Sequence, residues 1–183
     1  MRVISGTARG LRLETPKGEN TRPTLDAVKE AIFSMLFDKV WDARCLDLFS
    51  GSGALGIESV SRGADFCIFC DKSRDSEKVI RQNIEKARMN DKSLVLCSDF
   101  KDALKSLSQK GESFDIVFLD PPYAGGFLDE ALEMLHCLSL LKEGAVIVCE
   151  SDFGTEFNIQ NYNLIKSKKY GRVCVSILEA QSE

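Results

Sequence analysis

Four consecutive residues, Asp120-Pro121-Pro122-Tyr123, have the side chains needed to hold a flat base by its exocyclic amine. Such an amine is a poor nucleophile, because its lone pair is delocalised into the ring. A carboxylate at Asp120 and the carbonyl of Pro121 can accept its two hydrogens. This frees the lone pair and draws the nitrogen toward pyramidal geometry, in line with an electrophilic methyl group. The prolines at 121 and 122 fix the direction of that carbonyl, and Tyr123 offers an aromatic face on which an unstacked base can lie. All four residues read as catalytic for methyl transfer to nitrogen. Asp-Pro-Pro is equally compatible with a rigid strand-to-loop turn, so a second site has to decide.

That second site is Asp47-Leu48-Phe49-Ser50-Gly51-Ser52-Gly53-Ala54-Leu55-Gly56, where a short strand from about Arg44 runs into a glycine turn and then a helix. The glycines let the backbone approach a ligand closely. Gly51, Gly53 and Gly56 spell G-x-G-x-x-G, which alone fits a dinucleotide site as well. Asp71 closes the next apolar run, Phe66 to Cys70, at the spacing of a carboxylate that grips ribose hydroxyls. A nicotinamide enzyme has no use for a base clamp at Asp120 to Tyr123, whereas an S-adenosylmethionine enzyme needs an acceptor site there. The two motifs together favour the methyl donor. Asp99 could accept a hydrogen bond from the adenine amine while Phe100 covers the ring, or could simply cap a helix from Phe100 to Leu107. Asp47 could likewise cap the glycine turn, although its place beside the cofactor loop favours contact with the methionine end.

These residues need a frame that brings strand ends together. Apolar runs predict strands near 44–49, 66–71, 93–97, 114–119 and 145–149, alternating with helices near 54–62, 74–89, 99–108 and 127–138. The run Phe114 to Leu119, broken only by Asp115, ends at Asp120, where open α/β sheets bind their ligands. Tyr162 to Ile165 and Arg172 to Leu178, separated by Lys166 to Gly171, read as a terminal β-hairpin. Ahead of the sheet, Val3-Ile4, Leu11 and Leu13 suggest a small hairpin or arm, followed by a covering helix from about Leu25 to Phe37. The fold expected is an α/β, Rossmann-like class I methyltransferase: a seven-stranded sheet with a terminal β-hairpin and a small N-terminal arm. Residues 1–183 form a single domain, with the arm over 1–24 and the helix plus core over 25–183.

Composition removes other classes of chemistry. The lone histidine, His136, lies in the helical pattern Leu128 to Leu138, so neither a histidine triad nor a histidine metal cluster can be built. Seven cysteines, mostly within apolar runs, read as reduced buried thiols. Cys67 and Cys70 match C-x-x-C, but residues three apart on a strand point to opposite faces and no second pair accompanies them, so no metal is expected. No leader and no bilayer-spanning apolar stretch is read, which predicts a cytoplasmic protein. Catalysis must then rest on carboxylates, backbone groups and a reactive cofactor.

With these motifs the chain resembles the RsmD family of bacterial small-subunit ribosomal RNA guanine-N2 methyltransferases over nearly its whole length. The resemblance is carried by Arg2 to Leu13 with Arg9-Gly10, by Thr21-Arg22-Pro23-Thr24, by Leu46 to Gly56 with Ser61-Arg62-Gly63-Ala64, by Phe114 to Tyr123, and by Tyr170-Gly171. It implies S-adenosylmethionine as donor and, as acceptor, guanine 966 of 16S ribosomal RNA in the small subunit or its assembly intermediate. It assigns the catalytic role to Asp120, Pro121, Pro122 and Tyr123, and the cofactor role to Asp47, Phe49, Gly51, Ser52, Gly53, Asp71, Asp99 and Phe100. Departures are small: Asp71 stands where the family more often has Glu, Ser5 interrupts a usual double glycine, and Ser73 replaces a common second acid.

A formal net charge of -4 gives little global attraction to phosphate. Met1 to Thr24, however, carries five basic side chains against two acidic ones, which makes Arg9, Arg12, Arg22 and Thr24 expected substrate-binding residues. Lys166, Lys168, Lys169 and Arg172 form a second basic cluster around Tyr170, also expected to meet substrate. Alternatives within the enzyme class are an amino-methyltransferase acting on DNA adenine or on a protein glutamine. Outside it stands a non-catalytic RNA-binding assembly factor. No separate target-recognition domain is read for DNA, and the intact glycine loop and clamp oppose a decayed site. A monomer is expected, since no heptad seam is present.

Overall fold

The computed structural model describes residues 1–16, 26–122 and 126–181. Seven strands form one sheet in the order β3-β2-β1-β4-β5-β7-β6. These are β1 (Arg44–Asp47), β2 (Phe66–Asp71), β3 (Ser93–Cys97), β4 (Phe114–Leu119), β5 (Leu141–Asp152), β6 (Tyr162–Tyr170) and β7 (Val173–Ala180). The first five pair in parallel, and β7 inserts antiparallel between β5 and β6. The strand order reverses between β1 and β4, the switch point where such sheets open a crevice at their carboxyl ends.

Alternation along the strands divides the core. Cys45, Cys67, Phe69, Ile116, Phe118, Val146 and Val148 face α1 (Asp26–Leu36), α2 (Ala54–Ser61) and α3 (Arg74–Ala87). Leu46, Ile68, Val117, Leu119, Ile147 and Cys149 face α4 (Phe100–Gln109) and α5 (Phe127–Cys137). Burial on both faces is why these strands read as unbroken apolar runs. Asp115, the polar intruder in β4, accepts hydrogen bonds from the Arg44 amide at 2.8 Å and from Lys142 at 2.7 Å. Cys67 and Cys70 lie in opposite halves of the core, as strand geometry requires.

Two expectations need correction. The terminal hairpin is longer than its apolar residues suggested. Lys166 to Tyr170 is strand rather than loop, and Gly171-Arg172 make the turn, because β6 is an edge strand whose residues 163–169 are all exposed. Without a buried face it shows no alternation, and its lysines protect the edge from pairing with another chain. The thiols are not uniformly buried either: Cys97 and Cys137 are exposed and Cys174 half-buried.

The arm is a docked hairpin. Val3 donates its amide to Leu11 at 2.9 Å, Gly10 to Val3 at 2.9 Å and Leu13 to Met1 at 3.0 Å. Glu58, on α2, accepts the amides of Ile4 and Ser5 at 2.8 and 3.0 Å. It also meets Lys29 of α1 at 3.2 Å and Arg62 at 2.8 Å. The Lys29 and Glu58 side chains are both 0% exposed, and burial holds the Lys29 ammonium below its usual range. Gly6 lies so close to α2 that a Cβ there would stand 1.6 Å from the Ser61 carbonyl oxygen.

Candidate active site at the carboxyl edge of the sheet

Parallel strands bring the same end to the same edge, and here four adjacent ones arrive with an acid. β2 ends on Asp71, β1 ends on Asp47, β4 runs into Asp120, and β5 carries Glu150 near its end. The residues two positions earlier, Phe69, Cys45, Phe118 and Val148, all pack in the half of the core under α1 to α3. A period of two therefore puts all four acids on that face. Asp47 is level with Phe69 and Phe118, and Leu119 is level with Cys149, so Asp120 and Glu150 follow as neighbours on adjacent strands.

Crowding acids at a buried edge raises their affinity for protons. Burial, reinforced by the charges of Asp120 and Asp71 and opposed by the Gly56 amide, pushes Asp47 up to about 7. Burial pushes half-buried Asp120 up to about 6. Glu150, only 3% exposed, is driven well above the carboxylate range by burial, then by Asp120 and Asp47. Its Oε1 is buried without a hydrogen-bond partner among the described residues.

The glycine loop is tied to the strand ends from below. Ser50 donates its hydroxyl to the Asp47 carbonyl at 2.6 Å, and that hydroxyl accepts the Cys70 amide at 3.0 Å. Gly51 and Gly53 have φ of 54° and 77°, a left-handed conformation that glycine adopts without cost. Gly51 donates its amide to Asp71 Oδ2 at 2.9 Å, and Ser73 to Asp71 Oδ1 at 2.8 Å. Asp47 Oδ2 accepts the Gly56 amide at 3.0 Å, so it does cap the first turn of α2. Asn83 of α3, fully buried, donates to the carbonyls of Ser52 at 2.9 Å and Glu14 at 3.0 Å, joining loop to arm.

On the other face, Phe49, Phe100 and Phe127 form an aromatic wall with ring centroids 5.2 to 6.5 Å apart. Phe100 is 5% exposed, its ring packed into this wall. Asp99 is exposed and caps α4, accepting the Lys101 amide at 3.0 Å.

The structure therefore gathers Asp47, Phe49, Gly51, Ser52, Gly53, Asp71, Asp99, Phe100, Asp120 and Pro121 at one edge, with Pro122 exposed beyond them. Tyr123, Arg22 and Thr24 lie outside the described residues. Tyr170 is half-buried at the same edge, since it pairs with Val173, and Val173 pairs with Asp152 at the end of β5. Lys168 stands 5.3 Å from its ring centroid, and Lys169 stands 3.4 Å from that of the exposed Phe153. Arg9 and Arg12 are exposed. Arg9 follows the hairpin tip, whose Thr7 and Ala8 amides bond to Ser61 at the far end of α2, a helix length from the glycine loop. Glu150 and Asn83 were not marked by their sequence. Glu150 did carry a signal, because it ends the run Ala145 to Cys149 as Asp120 ends Phe114 to Leu119.

Comparison with known proteins agrees with this architecture. The family model described as conserved hypothetical protein 95 matches residues 1–179. The ribosomal RNA small subunit methyltransferase D of Escherichia coli is 32% identical over 185 residues, covering 100% of this chain and 91% of its own. The solved structure of the Escherichia coli protein yhhF superposes with a TM-score of 0.86 at 33% identity, over 100% of this chain and 99% of that one. An RNA methyltransferase of Salinibacter ruber, crystallised with S-adenosyl-L-homocysteine, shares the fold at 17% identity, with a TM-score of 0.69 over 88% of this chain and 95% of that one.

Proposed function

The chain belongs to the RsmD family, and from that premise we propose that it methylates the exocyclic N2 amine of guanine 966 in 16S ribosomal RNA, with S-adenosylmethionine as donor. The observation that carries this reading is the row of acids on adjacent strand ends, with Asp120-Pro121 placed beside the glycine loop at the switch point.

The residues present suit that donor, which when bound supplies a methyl group on a positively charged sulfur. Asp47 and Asp120 crowd one another, and among the described residues the charges acting on Asp47 are those of Asp120 and Asp71, so the edge complements a sulfonium. Asp71 is held in place by two backbone amides and keeps lone pairs for ribose hydroxyls. Phe49, Phe100 and Phe127 give the adenine an apolar wall, and Asp99 keeps its second oxygen for the adenine amine. Gly51, Ser52, Gly53 and Asp47 take the methionine end.

Toward the acceptor, Asp120 in its ionised form and the Pro121 carbonyl accept the two amine hydrogens, while Tyr123 stacks on the base. As the N–CH3 bond forms and the S–CH3 bond breaks, the surplus amine proton passes to Asp120 or to water. The basic end of the β6–β7 hairpin, with Lys168, Lys169, Arg172, Tyr170 and Phe153, interleaves cations and aromatic faces beside the acceptor site, as a single-strand platform requires. Arg12 holds the RNA from the arm side and Arg9 takes a phosphate further along, and Arg22 and Thr24 also contact the RNA. The protein works as a monomer on RNA presented in the small subunit or its precursor.

The test is a methylation assay on small subunits, precursor particles and naked 16S RNA lacking the modification, read by nucleoside mass spectrometry and by mapping the modified position. The expected product is N2-methylguanosine at one site, abolished by Asp120→Ala while S-adenosylmethionine still binds, its affinity lowered by no more than a few-fold. Methyladenosine, labelled protein, or no transfer to any of the three substrates would remove the reading. In the same system, the joint change of Arg9, Arg12 and Arg22 to Ala should flatten the salt dependence of particle binding by somewhat under about one logarithmic unit per lost phosphate contact. An unchanged slope takes the arm out of the RNA interface.

A further inference from the structure

Among the described residues, Glu150 is the acid of the row with an orphaned buried oxygen. It is 3% exposed, and its Oε1 is buried with no partner among those residues. Burying an unpaired carboxyl oxygen is costly, and a group of this kind usually marks either a strained site or a missing partner. The sheet names the partner. Leu119 and Cys149 are paired on adjacent parallel strands, and Asp120 and Glu150 come next on the same face, one strand spacing apart, about 4.8 Å.

Two carboxyls so placed in a buried edge cannot both ionise, and one keeps a proton. The charges acting on Glu150 are Asp120 from β4 and Asp47 from β1, both negative, and its neighbour on β7 is the apolar Val175. Glu150 is the more deeply buried of the pair and is pushed well above the usual range, whereas Asp120 reaches about 6. The proton therefore sits on Glu150 while Asp120 is ionised. A protonated carboxyl is a donor, and an ionised one next to it is the acceptor.

Resting on the methyl-transfer reading above, we propose that Glu150 is a positioning residue, whose protonated carboxyl donates a hydrogen bond to Asp120 and so aims the carboxylate that receives the acceptor amine. Glu150 touches neither base nor donor. It fixes which Asp120 oxygen faces the amine and keeps that carboxylate from turning toward the core. Two limbs of the pH profile follow. Activity falls on the acid side as Asp120 protonates, and falls again on the alkaline side as Glu150 loses the proton it donates.

The discriminating experiment compares wild type, Glu150→Gln and Glu150→Leu in the guanine assay from about pH 5 to about pH 10, with S-adenosylhomocysteine affinity and thermal midpoint measured on each. Gln keeps a donor that cannot be lost, so Glu150→Gln should retain kcat within about threefold and lack the alkaline limb while keeping the acid one. Leu fills the volume without a donor, so Glu150→Leu should lower kcat by about tenfold or more, the worth of one charge-assisted hydrogen bond. Its S-adenosylhomocysteine affinity and thermal midpoint should be no worse than wild type. Equal kcat in Glu150→Leu and Glu150→Gln, or an alkaline limb that persists in Glu150→Gln, overturns the role of Glu150 and leaves the methyl-transfer reading intact. A wild-type protein inactive on guanine overturns that reading instead.

Discussion

Asp47 shows how an acid can serve a site at the expense of the fold. Its carboxyl is 3% exposed and raised to about 7, against 3.8 for an unhindered aspartate. A folded-state value above the unfolded one makes a contribution to stability that is fully present below the unfolded value and is lost as pH rises through the folded one. At pH 8 the ionised Asp47 thus costs the ligand-free protein on the order of 4 kcal/mol. Asp47→Asn keeps an acceptor for the Gly56 amide and removes the charge, so it should raise the urea midpoint more than about twice as much at pH 8 as at pH 5, because the penalty builds up between the unfolded value of 3.8 and the folded one of about 7. An equal shift at both values, or none, would mean the buried charge is not what strains this position. The placement of Asp47, Asp71 and Asp120 at strand ends was legible because Asp71 and Asp120 close apolar runs and Asp47 stands beside the glycine loop. Glu150 ends a run as well, but no glycine loop or Pro-Pro turn beside it marks it as part of the same edge.

Among the elements, the parallel strands were the most legible. Runs 66–71 and 114–119 coincide with β2 and β4, since most of their residues are buried, and run 93–97 coincides with the edge strand β3, which is apolar at Leu94, Val95 and Leu96 although only Val95 is buried. The edge strand β6 was half hidden because neither of its faces is buried over 163–169. Lys29 and Glu58 were invisible for a related reason: charged residues on helices read as solvent-facing, yet this pair is wholly enclosed where arm, α1 and α2 meet. Removing one member of such a pair leaves the other charge buried alone. Glu58→Ala should therefore destabilise the protein by about 3–5 kcal/mol in chemical denaturation. It should also expose the Ile4 and Ser5 amides, which lose their acceptor, to rapid hydrogen exchange. Full protection of those two amides in the variant would show that the arm is held by Gly6 and Ser61 instead.

At the scale of the whole molecule, the net charge of -4 says less than where the charges lie. Acids converge on the strand ends, and cations stand around them on the β6–β7 hairpin. The arm, which the sequence marked by its arginines, is bound to α2 and, through Asn83 and Glu14, to the glycine loop. Composition along the chain could show that the arm is basic. Only the fold shows that its tip lies at the far end of α2 and that the turn of the hairpin lies at the edge where the acids converge. Among the described residues, no helix is long and apolar enough to cross a membrane.

The row of acids has a consequence for turnover. The donor arrives as a cation and leaves, once spent, as a neutral thioether, so an edge that attracts positive charge releases its own by-product. That preference should follow the ionisation of Asp47, raised to about 7, and of Asp120, raised to about 6. Above those values both carboxyls are charged and the donor is favoured; below them both are neutral and the two ligands compete on contacts alone. Calorimetric affinities for S-adenosylmethionine and S-adenosylhomocysteine should diverge at pH 8 and converge by several-fold near about pH 5.5. A ratio independent of pH would detach ligand exchange from these carboxyls. If the ratio moves as stated, acidification turns the spent cofactor into an increasingly effective inhibitor of its own enzyme.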